Sequence, residues 1–285
     1  MRGRRLRYNR NVSERGRRPG QHAIVERDVL VRYLDAWTAK AVRSHRGGTY
    51  VECGGFAADA LRVFGEFADR LDGHHLELVI AGSAAPEGAP EGLSVRVVAE
   101  PRAAETTGPT LAHLDGPEAW PLLGFFACGE GHEVVVTAPM PDADYRDALG
   151  AAACSTAVEL VGDDGKARLL AFATADSRHL AMFKSELWAV DEFAGIRYRD
   201  PRDPEGALVD ISLTPQLLPL RRALLGELRR SGPRTVAELQ RFTLLETIYR
   251  PEDAIGAVTS AVAAGDVTRE PEKGRLASRT VVGLA

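Results

Sequence analysis

Ile24, Val29, Leu30, Tyr33, Leu34, Trp37 and Val42 recur at three- and four-residue intervals, which predicts an amphipathic helix over residues 23–46 ended by Gly47-Gly48. An alternation follows. Residues 49–54 read as an apolar strand, and residues 57–71 as a helix with Leu61, Val63, Phe64 and Phe67 on its apolar stripe. Residues 76–82 and 93–99 read as strands separated by a Pro/Gly-rich loop. Residues 101–108 are too polar and too short for a crossover helix. A fourth strand spans 110–114, a helix 118–128, a fifth strand 133–138 and a helix 143–152. Residues 157–161 and 167–173 then face each other across Gly162-Asp163-Asp164-Gly165, the pattern of a β-hairpin. A helix over 177–193 has Ser177 as candidate N-cap and Leu180, Phe183, Leu187 and Val190 as its stripe.

Strands alternating with helices imply a mostly parallel sheet covered on both faces. A proline-rich, charged stretch at 197–205 marks a change of regime. Beyond it, helices are expected over 217–230, from Thr235 onward with Glu238 completing a capping box, and over 251–264 ended by Gly265. Strands at 267–270 and 276–282 pair across Glu272-Lys273-Gly274. Three helices and a terminal hairpin read as a winged helix-turn-helix. The expected organisation is a basic tail over 1–21, a Rossmann-like α/β domain over 22–196, a connector over 197–215 and a winged-helix domain over 216–285.

A chain of 285 residues is long enough for two such domains, and 45% hydrophobic with 27% charged residues is an ordinary globular composition. No apolar run approaches the ~20 residues of a membrane span. No hydrophobic segment follows the basic N-terminus, as a secretory signal would require. Cys53, Cys128 and Cys154 lie far apart, without the spacing of a disulfide framework or a zinc site, so a reducing cytoplasm is the expected compartment. The seven histidines form no pattern that points to a metal. Only Lys40, Lys166, Lys184 and Lys273 are lysines, and the excess of arginine follows the bias of a GC-rich genome. Residues 1–20 carry eight arginines and one glutamate, and residues 216–285 carry eleven basic and eight acidic side chains, so the middle of the chain is strongly acidic. The ends are therefore better suited to nucleic acid than the centre.

The chemistry-bearing stretch is Glu52-Cys53-Gly54-Gly55, where a strand meets a helix. Nucleotide-type cofactors sit at such junctions because glycines let backbone N–H groups approach the ligand. Two readings of Glu52 stand side by side: a cofactor ligand together with Gly54 and Gly55, or a strand-end acid bound to neighbouring backbone N–H groups. Asp115 ends the fourth strand, at the edge where open α/β sheets bind ligands. It either orients or binds a substrate as a catalytic residue or caps the following helix through Asp-Gly-Pro-Glu. His113, two residues earlier, shares its side of the strand and reads as a buried core histidine. In the winged part, the third helix contains no Arg or Lys, so base readout is poorly served. Arg269, Lys273, Arg275 and Arg279 on the wing are the candidate contacts to DNA or to a partner protein.

Five parallel strands followed by a hairpin resemble the class I S-adenosylmethionine-dependent methyltransferases, in which the last strand inserts antiparallel. Several motifs narrow the resemblance. Tyr33-Leu34-Asp35-Ala36-Trp37, Tyr50 to Phe56, Leu114-Asp115-Gly116-Pro117 and Glu186-Leu187-Trp188 stand in the order of the three-Cys-motif partner family. The likeness covers nearly the whole chain from about residue 22. It implies a methyltransferase-like sheet, S-adenosylmethionine as cofactor, no metal, and a three-Cys-motif protein as partner. Against the family pattern, its aspartate is Glu52, its open F-A-G-x-G loop is Gly54-Gly55-Phe56-Ala57-Ala58, and the second strand ends in Ala81-Gly82-Ser83 where a ribose-binding acid is expected. The expectation is thus a methyltransferase-like protein with a degenerate cofactor loop and weak or no catalysis. The alternative is a non-catalytic protein- or DNA-binding module that acts with a partner through the winged helix.

Overall fold

The computed structural model describes residues 20–285 apart from 45–46, 72–74, 83, 128, 141–144 and 191–194. The basic segment 1–19, His74, Ser83 and Cys128 lie outside the described residues, as do the expected start of the helix at 143 and the expected end of the one at 193. Helix α1 (Gln21–Ser44) leads through Gly47 into strand β1 (Gly48–Cys53). The single helix expected over 57–71 is two, α2 (Ala57–Gly65) and α3 (Ala68–Leu71). The backbone tightens between them: Glu66 and Phe67 N–H donate to the carbonyls of Val63 and Phe64, three residues back, and Phe67 and Leu71 both reach the core. Strands β2 (Leu76–Ala81) and β3 (Leu93–Val98) follow. A 3-10 turn at Pro101–Ala103 stands where no crossover helix was expected. Then come β4 (Thr110–Asp115), a 3-10 turn at Pro117–Ala119, α4 (Trp120–Ala127), β5 (His132–Pro139), α5 (Tyr145–Gly150), the hairpin β6 (Cys154–Gly162) and β7 (Ala167–Thr174), and α6 (Ser177–Trp188). The N-cap of α6 is Asp176 rather than Ser177: its Oδ1 accepts from Arg178 N–H at 2.8 Å.

The stretch expected as a connector carries two more strands, β8 (Ile196–Arg199) and β9 (Leu208–Asp210). Ile196 and Tyr198 alternate inward, Tyr198 Oη donates to Leu187 O, and Arg199 pairs with Glu159 on the neighbouring strand. Among the described residues, nine strands form one sheet in the order β3-β2-β1-β4-β5-β7-β6-β8-β9. The first five are mutually parallel, and β7 inserts antiparallel between β5 and β6. This mixed α/β architecture is consistent with a Rossmann-like methyltransferase sheet.

Burial follows the period of two along the strands. Tyr50, Leu78, Ile80, Leu111 and Val135 face a core shared with α1, α2 and α6; Val51, Val79, Ala112, Val134 and Val136 face the opposite core, shared with α4. At the centre of the first core, Phe172 and Phe183 stack 4.4 Å apart, with Tyr33 edge-on to both at 5.2 Å. Each such ring contributes about 1.5–3 kcal/mol by burial.

The C-terminal part comprises α7 (Leu218–Ser231), β10 (Arg234–Thr235), α8 (Val236–Glu246), α9 (Asp253–Ala263), β11 (Val267–Glu270) and β12 (Val281–Leu284), the strands ordered β10-β12-β11. The capping box at Thr235 and Glu238 is formed. The last strand begins at Val281 rather than at 276, because Ala277 and Thr280 close a turn on each other. This unit is fastened to the sheet. Buried Lys184 of α6 donates to the carbonyls of Thr243, Leu244 and Thr247 at the end of α8, at 3.3, 2.5 and 2.5 Å, and Trp188 Nε1 donates to Ile248 O at 3.0 Å. Among the described residues, no helix is long and apolar enough to cross a membrane.

Candidate functional site

The registers of β1, β4 and β5 decide which side chains meet at the carboxyl edge of the sheet. Glu52 lies opposite His113, and Asp115 opposite Thr137. Tyr50 and Glu52, His113 and Asp115 are each two apart, so all five project to the face covered by α1. They form one continuous hydrogen-bonded chain. Tyr50 Oη donates to Glu52 Oε2 at 2.8 Å, and His113 Nδ1 lies 3.0 Å from the same oxygen. His113 Nε2 lies 3.0 Å from Thr137 Oγ1, which donates to Asp115 Oδ1 at 2.8 Å. Arg168 of β7 reaches Asp115 Oδ1 at 3.4 Å and Glu26 of α1 at 2.6 Å, which closes the chain onto the covering helix.

The donor count fixes the protonation of the histidine. A carboxylate only accepts, so the single hydroxyl proton of Thr137 points to Asp115. Thr137 Oγ1 must then accept from His113 Nε2–H, while Nδ1–H faces Glu52. His113 is therefore an imidazolium between two acids. Its electrostatics agree: burial works to lower the His113 pKa, but the Glu52 charge and hydrogen bond raise it. Burial likewise works to raise the Glu52 carboxyl, and His113, Tyr50 and the backbone N–H of Phe56 together hold it below its ordinary range.

The loop after β1 bends back onto Glu52. Gly54 N–H and Phe56 N–H donate to Oε1 at 2.7 and 3.2 Å. With Tyr50 and His113 on the same carboxylate, its acceptor sites are filled by the chain itself. Gly54 is needed for this closure, since a Cβ there would lie 2.9 Å from Asp115 Cβ and 3.1 Å from both Glu52 Oε1 and His113 Cε1. Gly55 faces open space. The Phe56 ring is buried edge-on to His113, with centroids 6.1 Å apart. Burial pushes the Cys53 thiol up to about 12, so it is no nucleophile near neutrality.

Asp115 does not cap the next helix. Gly116 is the cap residue of the following turn, and no side chain bonds there. Its carboxylate is turned to Thr137 and Arg168 instead, with 44% of the side chain exposed. The structure thus brings Glu52, Gly54 and Asp115 together. Thr137, Arg168 and Glu26 complete the cluster and were not singled out in the sequence. The candidate contact residues of the C-terminal unit lie elsewhere. Arg269 donates to Pro271 O and Gly274 O within its own turn, whereas Lys273, Arg275 and Arg279 are exposed. Among the described residues, no group of three or more His, Cys, Asp or Glu is placed to hold a metal ion.

A cleft of about 800 Å³ opens at the other end of the sheet, beside Gly108-Pro109 before β4 and Gly131 before β5. The carboxyl-edge cluster does not line it.

No protein family and no curated protein matches the chain. Among solved structures it is similar to a cyclopropane-fatty-acyl-phospholipid synthase-like protein from Lactobacillus casei. The identity is 13% over 93% of this chain and 92% of that one, with a TM-score of 0.25. So loose a superposition bears on neither fold nor function.

Proposed function

We propose that the chain is a methyltransferase-like protein of the three-Cys-motif partner type whose cofactor junction has been absorbed into its own core. It would act chiefly by binding a partner protein through a C-terminal winged helix-turn-helix, with weak or no methyl transfer. The observation that carries this reading is the filled carboxylate of Glu52, which receives Tyr50, His113 and the N–H groups of Gly54 and Phe56. S-adenosylmethionine would need a free acceptor there, an open glycine loop, and an acid at the end of the second strand. Here the acceptor is occupied, Phe56 is packed over His113, and β2 ends in Ala81-Gly82. The residues do not fit the cofactor, and no catalytic step is assigned to Asp115.

Calorimetric titration with S-adenosylmethionine tests this reading. The expected result is no saturable heat. Saturable micromolar binding that Glu52→Ala abolishes overturns it.

A second reading, nucleic-acid binding, draws on the exposed cations Lys273, Arg275 and Arg279. A gel-shift series across salt tests it. Binding that is lost altogether on deleting residues 1–20 rules out the winged helix as the reader.

A further inference from the structure

The cleft at the amino-terminal edge of the sheet has its own polar cluster, and it lies on the same face as the first one. Helix α1 runs along that face, with Glu26 at one end and Lys40 about 21 Å further along its axis. Strand β5 likewise carries Thr137 at one edge and Glu133 near the other. Lys40 Nζ contacts His179 Nε2, His179 Nδ1 lies 2.8 Å from Glu133 Oε1, and Tyr33 Oη donates to Glu133 Oε2. Glu133 is 1% exposed, His179 8% and Tyr33 1%. Lys40 stands at the solvent side of the cluster, and Trp37, Ala41 and Pro109 give the cleft an apolar wall.

The order of these groups is that of an activated nucleophile: a reactive atom against a base, an acid at ion-pair distance from the base, and the acid held by a third donor. Lys40 donates toward Nε2, so a neutral His179 carries its proton on Nδ1, which lies 2.8 Å from Glu133 Oε1 but outside hydrogen-bond geometry. A neutral imidazole nitrogen therefore faces the only lysine among the residues that line the cleft.

We propose that this cleft binds a small aldehyde or ketone and that Lys40 forms an imine with it. His179 takes a proton from the Lys40 ammonium. The freed nitrogen lone pair bonds to the carbonyl carbon, and the C=O π pair moves to oxygen, which takes up one of the two nitrogen-bound protons. The imidazolium then returns its proton to the hydroxyl, the C–O bond breaks, water leaves, and C=N forms as the protonated imine. The sum is carbonyl plus amine giving imine plus water, with no oxidant or reductant. Lys40 is the nucleophile and His179 the base. Glu133, itself held by Tyr33, is a positioning residue that stabilises the charged form of the imidazole by its proximity. Burial pushes the Glu133 carboxyl up to about 7, against the hydrogen bond from Tyr33 and the charge of Lys40, so that it gains from an imidazolium at its side.

The scarcity of lysine makes the experiment clean. Full-length protein is treated at neutral pH with low glyoxylate, and separately with propanal, in the presence of cyanoborohydride. Peptide mass spectrometry follows each lysine with time. Lys166, with 81% of its side chain exposed, and the exposed Lys273 are internal controls, while Lys184 is buried. Lys40 is expected to be labelled at least about a hundredfold faster than the controls, the lower end of what a positioned base contributes. His179→Gln is expected to bring it to their rate. Glu133→Gln is expected to move the pH profile of Lys40 labelling to lower pH, because the imidazolium loses its counter-charge. Equal rates at Lys40 and the two controls in the unmodified protein overturn the proposal. So does undiminished Lys40 labelling in a folded His179→Gln variant. An unmoved pH profile removes Glu133 from the positioning role.

Discussion

His113 stands beside Glu52 on the neighbouring parallel strand, its Nδ1 3.0 Å from Oε2, with both side chains withdrawn from solvent. The pair sets a pH window for stability. The Glu52 carboxyl is held below 4.5, so its contribution is present above that pH and is lost as pH falls through the folded value. The His113 pKa is held above 6.5, so its contribution is complete below 6.5 and is lost as pH rises through the folded value. Replacing His113 by Asn strands a buried carboxylate, and the cost is about 3–5 kcal/mol. The difference in unfolding free energy between the native chain and His113→Asn, measured by urea titration across pH, should be largest between the two limits and shrink on both sides. A difference that does not vary with pH would contradict the charged pair.

The two glycines of the junction should answer alanine in opposite ways. A methyl at Gly54 meets Asp115, Glu52 and His113 at 2.9–3.1 Å, and overpacking of this kind costs about 1–3 kcal/mol. Gly55 has nothing within 4 Å, so Gly55→Ala should leave the thermal midpoint unchanged or raise it slightly. Equal midpoints for the two variants would show that the loop does not close on Glu52.

Lys184 supplies three protons to three carbonyls. Lys184→Met removes all three hydrogen bonds and leaves the end of α8 unpaired, at about 1–3 kcal/mol for each group left buried and unsatisfied. Amide exchange should accelerate from Thr243 to Tyr249 first. Burial pushes the Lys184 ammonium down to about 7 from 10.5. The penalty for the charged form is therefore complete below about 7 and disappears as pH rises towards 10.5. Stability should gain from this group over that range, and the Met variant should lack the gain.

Around the turn between β11 and β12, Arg269 and Arg275 should separate cleanly. Arg269→Ala removes two bonds to Pro271 O and Gly274 O, worth about 0.5–1.5 kcal/mol each, and should expose the turn between β11 and β12 to protease. Arg275→Ala should leave stability within about 0.5 kcal/mol and affect only the salt dependence of any anion binding.

The sheet could be read from the chain because strands buried on both faces are continuous apolar runs, such as Leu78-Val79-Ile80 and Val134-Val135-Val136. Strands β8 and β9 could not. Each is short: the buried Ile196 and Tyr198 of β8 are interleaved with Arg197 and Arg199, and β9 buries only Val209, in a stretch dense with proline and acid. At the site, Glu52, Gly54 and Asp115 announced themselves by position. Thr137 did not, because a threonine near the end of Val-Val-Val-Thr reads as an ordinary strand residue. Only the register of β4 on β5, which sets it opposite Asp115, brings it into the site. Arg168 arrives from a later hairpin, and the lysine–histidine–glutamate cluster is assembled from three distant elements. No local pattern carries it.

The fastening of α8 has a further consequence. Lys184 meets backbone oxygens, which every residue type offers, so the far side of the join makes no demand on the side chains at 243, 244 and 247. Its specification sits in two residues of α6, Lys184 and Trp188, and in the place where the partner helix ends. C-terminal units of different sequence, each ending a helix at that point, could be exchanged on this sheet without redesigning the ammonium's seat.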